Sequence, residues 1–80
     1  MNVTVKFFSY ARLAGTSECV LELPEGATVA ALARLLAQRF PAIFPQAEGA
    51  IYLVNHRTGT PDTRLNNGDQ VLMLQVLGGG

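Results

Sequence analysis

The sequence closes on Leu74-Gln75-Val76-Leu77-Gly78-Gly79-Gly80, an apolar run followed by three residues without side chains. A C-terminal carboxylate has a pKa of about 3.3–3.7 and is ionised at neutral pH. In that form it is a poor electrophile. Transferring a group to it, or joining it to an amine, requires prior activation, for example as an acyl adenylate formed from ATP. The activated residue must enter another protein's active site, and glycine has no Cβ to obstruct the nucleophile or the channel walls. Four extended residues, Leu77 to Gly80, reach at most roughly 14 Å. That suffices to thread a carboxylate into a cleft while the body stays outside. Gly80 is therefore the candidate reacting residue, and Gly78 and Gly79 are the candidate threading residues. The bland alternative is a frayed terminus.

Other reactive side chains are few. Cys19 is in phase with Leu21 and Leu23, which predicts a small hydrophobe more than a nucleophile. His56 is the single histidine and falls in a turn-like stretch. Without a second histidine or a cysteine cluster, no metal site is expected. Lys6 is the single lysine. Arg12, Arg57 and Arg64 could rim a docking face or simply keep it soluble.

The 80 residues make one small domain. Hydrophobic residues are 49% and charged residues 15%, which argues against disorder. One cysteine excludes an internal disulfide. Six basic and six acidic residues cancel and are scattered. No basic stripe calls for nucleic acid, and no polybasic run calls for a membrane surface. No apolar stretch is long enough to span a bilayer, and the start lacks a signal-peptide core. The expectation is a cytoplasmic protein.

The elements that must position the tail follow from periodicity. "VTVKFF" alternates from Val3, with Val5 and Phe7 on one face and Thr4, Lys6 and Phe8 on the other. "SYARLAGTSE" breaks the pattern, with room for one helical turn over Ala11–Ala14 and a stop at Gly15. "ECVLELPEG" predicts a second strand, ended by Pro24 and Gly26. In "TVAALARLLAQRFP", Thr28 is an N-cap and Val29, Leu32, Leu36 and Phe40 form a helical stripe. Pro41 stops it. "AIFPQAEGA" reads as an irregular connection that tucks in Ile43 or Phe44. "AIYLVN" and "QVLMLQV" predict strands apolar on both faces, "HRTGTPDTRL" a loop and "NNGD" a turn. One helix on one face of a sheet leaves Phe8, Leu72 and Leu74 pointing away from it, an apolar row that suits a docking partner. Docking there would offset the entropy lost by an ordered tail.

Several stretches together resemble the MoaD/ThiS family of ubiquitin-like sulfur carriers, most nearly its molybdopterin synthase small-subunit branch, MoaD. "VKFFSYARLAGTSE" is similar to that branch's opening, and "LELPEGATVAALARLLAQRFP" to its second strand and helix. Val54-Asn55 and "TRLNNGDQV" are similar to its "VN" and "NGD/DGD" segments, and Gly79-Gly80 to its ending. Gln75 and Val76 stand where the family often has Pro-Pro, and Gly78 where a small or polar residue is common.

The resemblance implies an α+β β-grasp fold, with one main helix on a mixed sheet of four to five strands. It would span residues 1–76, with a tail at 77–80. Tyr52 and Val54 should then face inward and Leu53 outward. The resemblance also implies a protein that is not an enzyme by itself. An E1-like adenylyltransferase would use ATP to adenylate Gly80, and a sulfur donor would convert the adenylate to a thiocarboxylate. The large subunit of molybdopterin synthase would dock on Phe8, Leu72, Leu74 and Leu77 and receive the tail. No bound cofactor is implied. The rival readings are a ubiquitin-like modifier joined through Gly80 to lysines, a carrier for thiamine synthesis or tRNA thiolation, and a non-covalent β-grasp adaptor with an idle tail.

Overall fold

In a computed structural model of the protein, residues 1–44 and 49–75 are described. The order is β1 (Asn2–Lys6), a 3-10 turn (Phe8–Tyr10), α1 (Ala11–Ala14), β2 (Glu18–Glu22), α2 (Val29–Arg39), β3 (Ile51–Val54), β4 (Arg57–Thr58) and β5 (Gln70–Leu74). The five strands form one mixed sheet in the order β2-β1-β5-β3-β4. Its centre is the parallel pair β1–β5, with Val5 beside Val71; the other pairs are antiparallel. This is the β-grasp fold expected from the sequence.

Alternation decides which residues are inside. Val3 and Val5 of β1, Leu21 of β2, and Val71 and Met73 of β5 are buried on one face. Helix α2 covers that face with Val29, Leu32 and Leu36, all buried. Each such side chain contributes roughly 1.5–3 kcal/mol by leaving water. Tyr52 and Val54 pack against this core and Leu53 does not, as expected. Ile43 is fully buried and Phe44 packs beside it, so the connection after α2 tucks in both.

The ends of α2 are chemically closed. Thr28 accepts a hydrogen bond at Oγ1 from the Ala31 N–H, 3.3 Å away. The Val29 and Ala30 N–H groups donate to the carbonyls of Thr63 and Pro61 at 2.9 and 3.1 Å. The orphan donors of a helix N-terminus are thus satisfied by a loop distant in sequence. Phe40 leaves the helical conformation one residue before Pro41. Gly15 caps α1 with φ +78°, a conformation that favours glycine.

Two expectations are corrected. Strand β1 ends at Lys6, and Phe8 does not continue its outer face. Phe7 is buried against Phe40, ring centroids 5.0 Å apart and edge to face. Tyr10 is buried as well, and with both side chains inside the chain turns sharply at Phe8. The "HRTGTPDTRL" stretch is also not all loop. Asn55 and His56 take positive φ, 50° and 72°, as a two-residue hairpin loop does, and Arg57–Thr58 returns as β4. The expected boundary between residues 76 and 77 lies outside the described residues.

Candidate functional site

Leu77, Gly78, Gly79 and Gly80 lie outside the described residues. What the structure describes is where their segment starts. Strand β5 holds the middle of the sheet, bonded on both sides, and ends at Leu74.

Leu72 and Leu74 are half-buried and sit on the face away from α2, because Val71 and Met73 take the inner face. Across the sheet, Leu72 pairs with Leu53 and Leu74 with Ile51. Ile51 is an exposed large hydrophobic residue. The sequence reading missed Ile51 as part of this row. The signal was available in "AIYLVN": once Tyr52 points inward, Ile51 must share the outer face with Leu53. Phe8 is 53% exposed, and its 3-10 turn packs against β5. The structure thus sets Leu72 and Leu74 beside Leu53 and Ile51 on the outer face, with Phe8 exposed on the turn that packs against β5.

Phe8 also carries backbone strain. Its φ is +49°, which a bulky side chain rarely adopts. Burial of Phe7 and Tyr10 on either side holds it there. An exposed aromatic in a strained conformation is where a contact residue is expected.

Asn55 and Asp69 explain the "VN" and "NGD" segments. The Asn55 side-chain N–H donates to Asp69 Oδ1 at 2.8 Å, and its Oδ1 accepts from the Gln70 N–H at 3.0 Å. Asp69 Oδ2 accepts from the Asn66 N–H at 2.8 Å. Asp69 is the single buried acidic or basic residue among those described. The two segments together lock the start of β5 to the β3–β4 hairpin, so their part is structural.

The remaining candidates stay apart. Cys19 is half-buried beneath α2, and burial pushes its thiol up, with Arg39 opposing and Glu18 adding. A raised thiol is a weaker nucleophile at neutral pH. His56 is exposed in the hairpin loop, and Arg12, Arg57 and Arg64 are exposed. Among the described residues, no group of three His, Cys, Asp or Glu side chains could hold a metal ion, and no helix is long and apolar enough to cross a membrane. On the helix side, an apolar groove of about 520 Å³ runs between α2 (Ala30, Ala33, Ala37) and Tyr52, Gly59 and Pro61.

Comparison with known proteins agrees with this geometry. The sequence matches the ThiS family over residues 5–80. No curated protein is significantly similar in sequence. Among solved structures, the chain resembles a protein assigned as subunit 1 of the molybdopterin converting factor from Pyrococcus furiosus. The TM-score is 0.86 at 29% identity, covering 96% of this chain and 99% of that one. It also superposes on SAMP1 of Haloferax volcanii, with a TM-score of 0.88 at 19% identity over the full length of both. A third likeness is to a chain in the complex of subunits 1 and 2 of the molybdopterin-converting factor from Helicobacter pylori, with a TM-score of 0.74 at 20% identity and full coverage of both. The last two are likenesses of fold. With a family match over nearly all of its length and a β-grasp sheet beneath it, the chain belongs to the ThiS family, the ThiS/MoaD group of ubiquitin-like sulfur carriers and modifiers.

Proposed function

We propose that this protein carries sulfur as a thiocarboxylate on Gly80 for building the dithiolene of molybdopterin. The observation that supports this most is the likeness to the P. furiosus subunit 1 over 96% of the chain, the one reported above at more than a quarter identity.

The Gly80 carboxylate attacks the α-phosphorus of ATP in an E1-like adenylyltransferase, and pyrophosphate leaves. Sulfide (HS⁻) then attacks the acyl carbon, and AMP leaves, giving the thiocarboxylate. Its sulfur bonds to a carbon of the pterin precursor in place of an oxygen, which leaves as water. Water then hydrolyses the resulting thioester, so that sulfur stays on the pterin and the tail returns as a carboxylate. In this scheme the chain positions its reactive end and the partners supply bases and charge stabilisation. A large subunit would seat on Phe8, Leu72, Leu74 and Leu77, extended by Ile51 and Leu53, while Gly78 and Gly79 pass through its channel. The H. pylori complex of subunits 1 and 2 makes a large subunit the natural partner to test.

The test is intact mass spectrometry with C-terminal fragmentation, on protein purified from cells that hold its native machinery. One oxygen replaced by sulfur at Gly80 is the expected result. A second reading, the ubiquitin-like modifier, draws on the full-length superposition with SAMP1. Peptides branched from Gly80 onto lysines, with no thiocarboxylate, would replace the carrier with the modifier. Deleting Gly79 and Gly80 should abolish either product while leaving the melting temperature unchanged.

A further inference from the structure

The sheet has two edges, and they differ. Strand β4 is two residues long. Beyond it, the Gly59 N–H donates to the Tyr52 carbonyl at 2.7 Å, and the Thr60 N–H to Thr63 Oγ1 at 2.8 Å. Pro61 has no N–H. That edge is short, and of β4 only Thr58 turns its N–H and C=O outward. Strand β2 is a regular five-residue edge without proline, glycine or lysine, and its two glutamates are the charges that mark it.

Ladder parity states what β2 offers. Phe7 N–H donates to Ser17 O, and Met1 and Leu23 bond reciprocally. With the register Val3↔Leu21 and Val5↔Cys19, the odd residues of β2 bond to β1. The N–H and C=O of Val20 and Glu22, and the N–H of Glu18, therefore point outward. The Glu18 carbonyl is taken by the Thr16 hydroxyl at 3.0 Å, which marks the end of the open stretch. Among the described residues no turn or loop backbone bonds to Val20 or Glu22. Cys19 and Leu21 face the core, so Glu18, Val20 and Glu22 share the outer face, with Val20 62% exposed.

Charge selects the occupant. Two copies pairing antiparallel about Val20 would set Glu18 against Glu22 twice, and in-register parallel pairing would oppose each glutamate to itself. Like charges directly opposite are unfavourable in a sheet. We propose that the open edge of β2 is a second docking site, which adds as a sixth strand an extended peptide with basic residues two positions either side of an aliphatic one. The aliphatic residue lies beside Val20 and the basic residues beside Glu18 and Glu22. Lys6 stands opposite Glu18 on β1 and Asn2 opposite Glu22. Glu22 therefore supplies the larger share of the attraction. The site is independent of Gly80 chemistry.

The experiment uses the full chain and two capped peptides, Ser-Lys-Thr-Ile-Thr-Lys-Ser and the same sequence with glutamate for lysine, followed by amide hydrogen exchange in NMR. The lysine peptide should slow exchange at the Val20 and Glu22 N–H groups. Cys19 and Leu21, already bonded to β1, should not change. The glutamate peptide should bind roughly tenfold more weakly at low salt. The double variant Glu18→Lys with Glu22→Lys should invert that preference, and Glu22→Lys alone should weaken lysine-peptide binding more than Glu18→Lys. Equal binding of both peptides, or no protection of Val20 and Glu22 at millimolar peptide, would overturn the proposal. So would protection of those amides without peptide in a dimeric sample, which would make a second copy the occupant.

Discussion

Phe7 and Phe8 are the same residue type with opposite surroundings. Phe7 is fully buried and Phe8 is half in water at φ +49°. Strand alternation correctly put Phe7 inside but could not show that the strand ends at Lys6 and the chain turns at Phe8, between the buried Phe7 and Tyr10. The strain makes a prediction that separates backbone from ring. Phe8→Gly should be more stable than Phe8→Ala by about 1 kcal/mol, since only glycine tolerates that φ freely. Both variants should lose affinity for a large-subunit partner equally. Denaturant titration measures the first, and equal stabilities would remove the claim of strain. Asp69 gives a second prediction. Asp69→Ala leaves the Asn55 amide and the Asn66 N–H without their acceptor and should cost about 1–3 kcal/mol. A change within about 0.5 kcal/mol would show that water replaces the carboxylate at no cost. The Asn55–Asp69 pair spans 14 residues, and no local pattern announces it.

Among the elements, α2 was the most legible. Its apolar stripe, Thr28 cap and Pro41 stop are local features that tertiary contacts reinforce. Leu36→Ala should cost about 2–5 kcal/mol through lost burial and a residual cavity, and Thr28→Ala about 1 kcal/mol through the lost cap. If Thr28→Ala costs as much as Leu36→Ala, the cap is acting through more than the Ala31 N–H. Strand β4 was not legible. Two residues carry no periodicity, and its hairpin loop is Asn-His instead of the usual Asn-Gly. Gly59 just after it does have a structural reason: a Cβ there would meet Val54 Cγ2 at 3.2 Å and Val29 Cγ2 at 3.3 Å. The hairpin lies that close to the start of α2. Strand β2 was legible as a strand but not as an edge, because edge status depends on which strand it fails to meet.

At the scale of the whole molecule, three weak acids report on burial together. Burial pushes up Cys19 from 9.0 and Tyr10 and Tyr52 from 10.0, with Tyr10 adding to the rise at Tyr52. Each binds its proton more tightly folded than unfolded. Their contribution to stability is complete below their ordinary values and is lost as pH rises through the folded ones. Unfolding free energy should hold steady from neutral pH to about 9 and fall above it, with Tyr52→Phe flattening the fall. A flat profile to about pH 11 would show that these groups titrate alike in both states. The sequence alone determined which side chains face inward on β1, β2 and α2, since those facts follow from the 2- and 3.6-residue periods and nearby caps. It also carried the candidate chemistry of the Gly78–Gly80 tail. Only the tertiary structure decided the parallel pairing of β1 with β5, the meeting of Ile51 and Leu53 with Leu74 and Leu72, and the open edge at β2. Those depend on which segments come together across long stretches of chain, and side-chain periodicity within a segment holds no information about its neighbour.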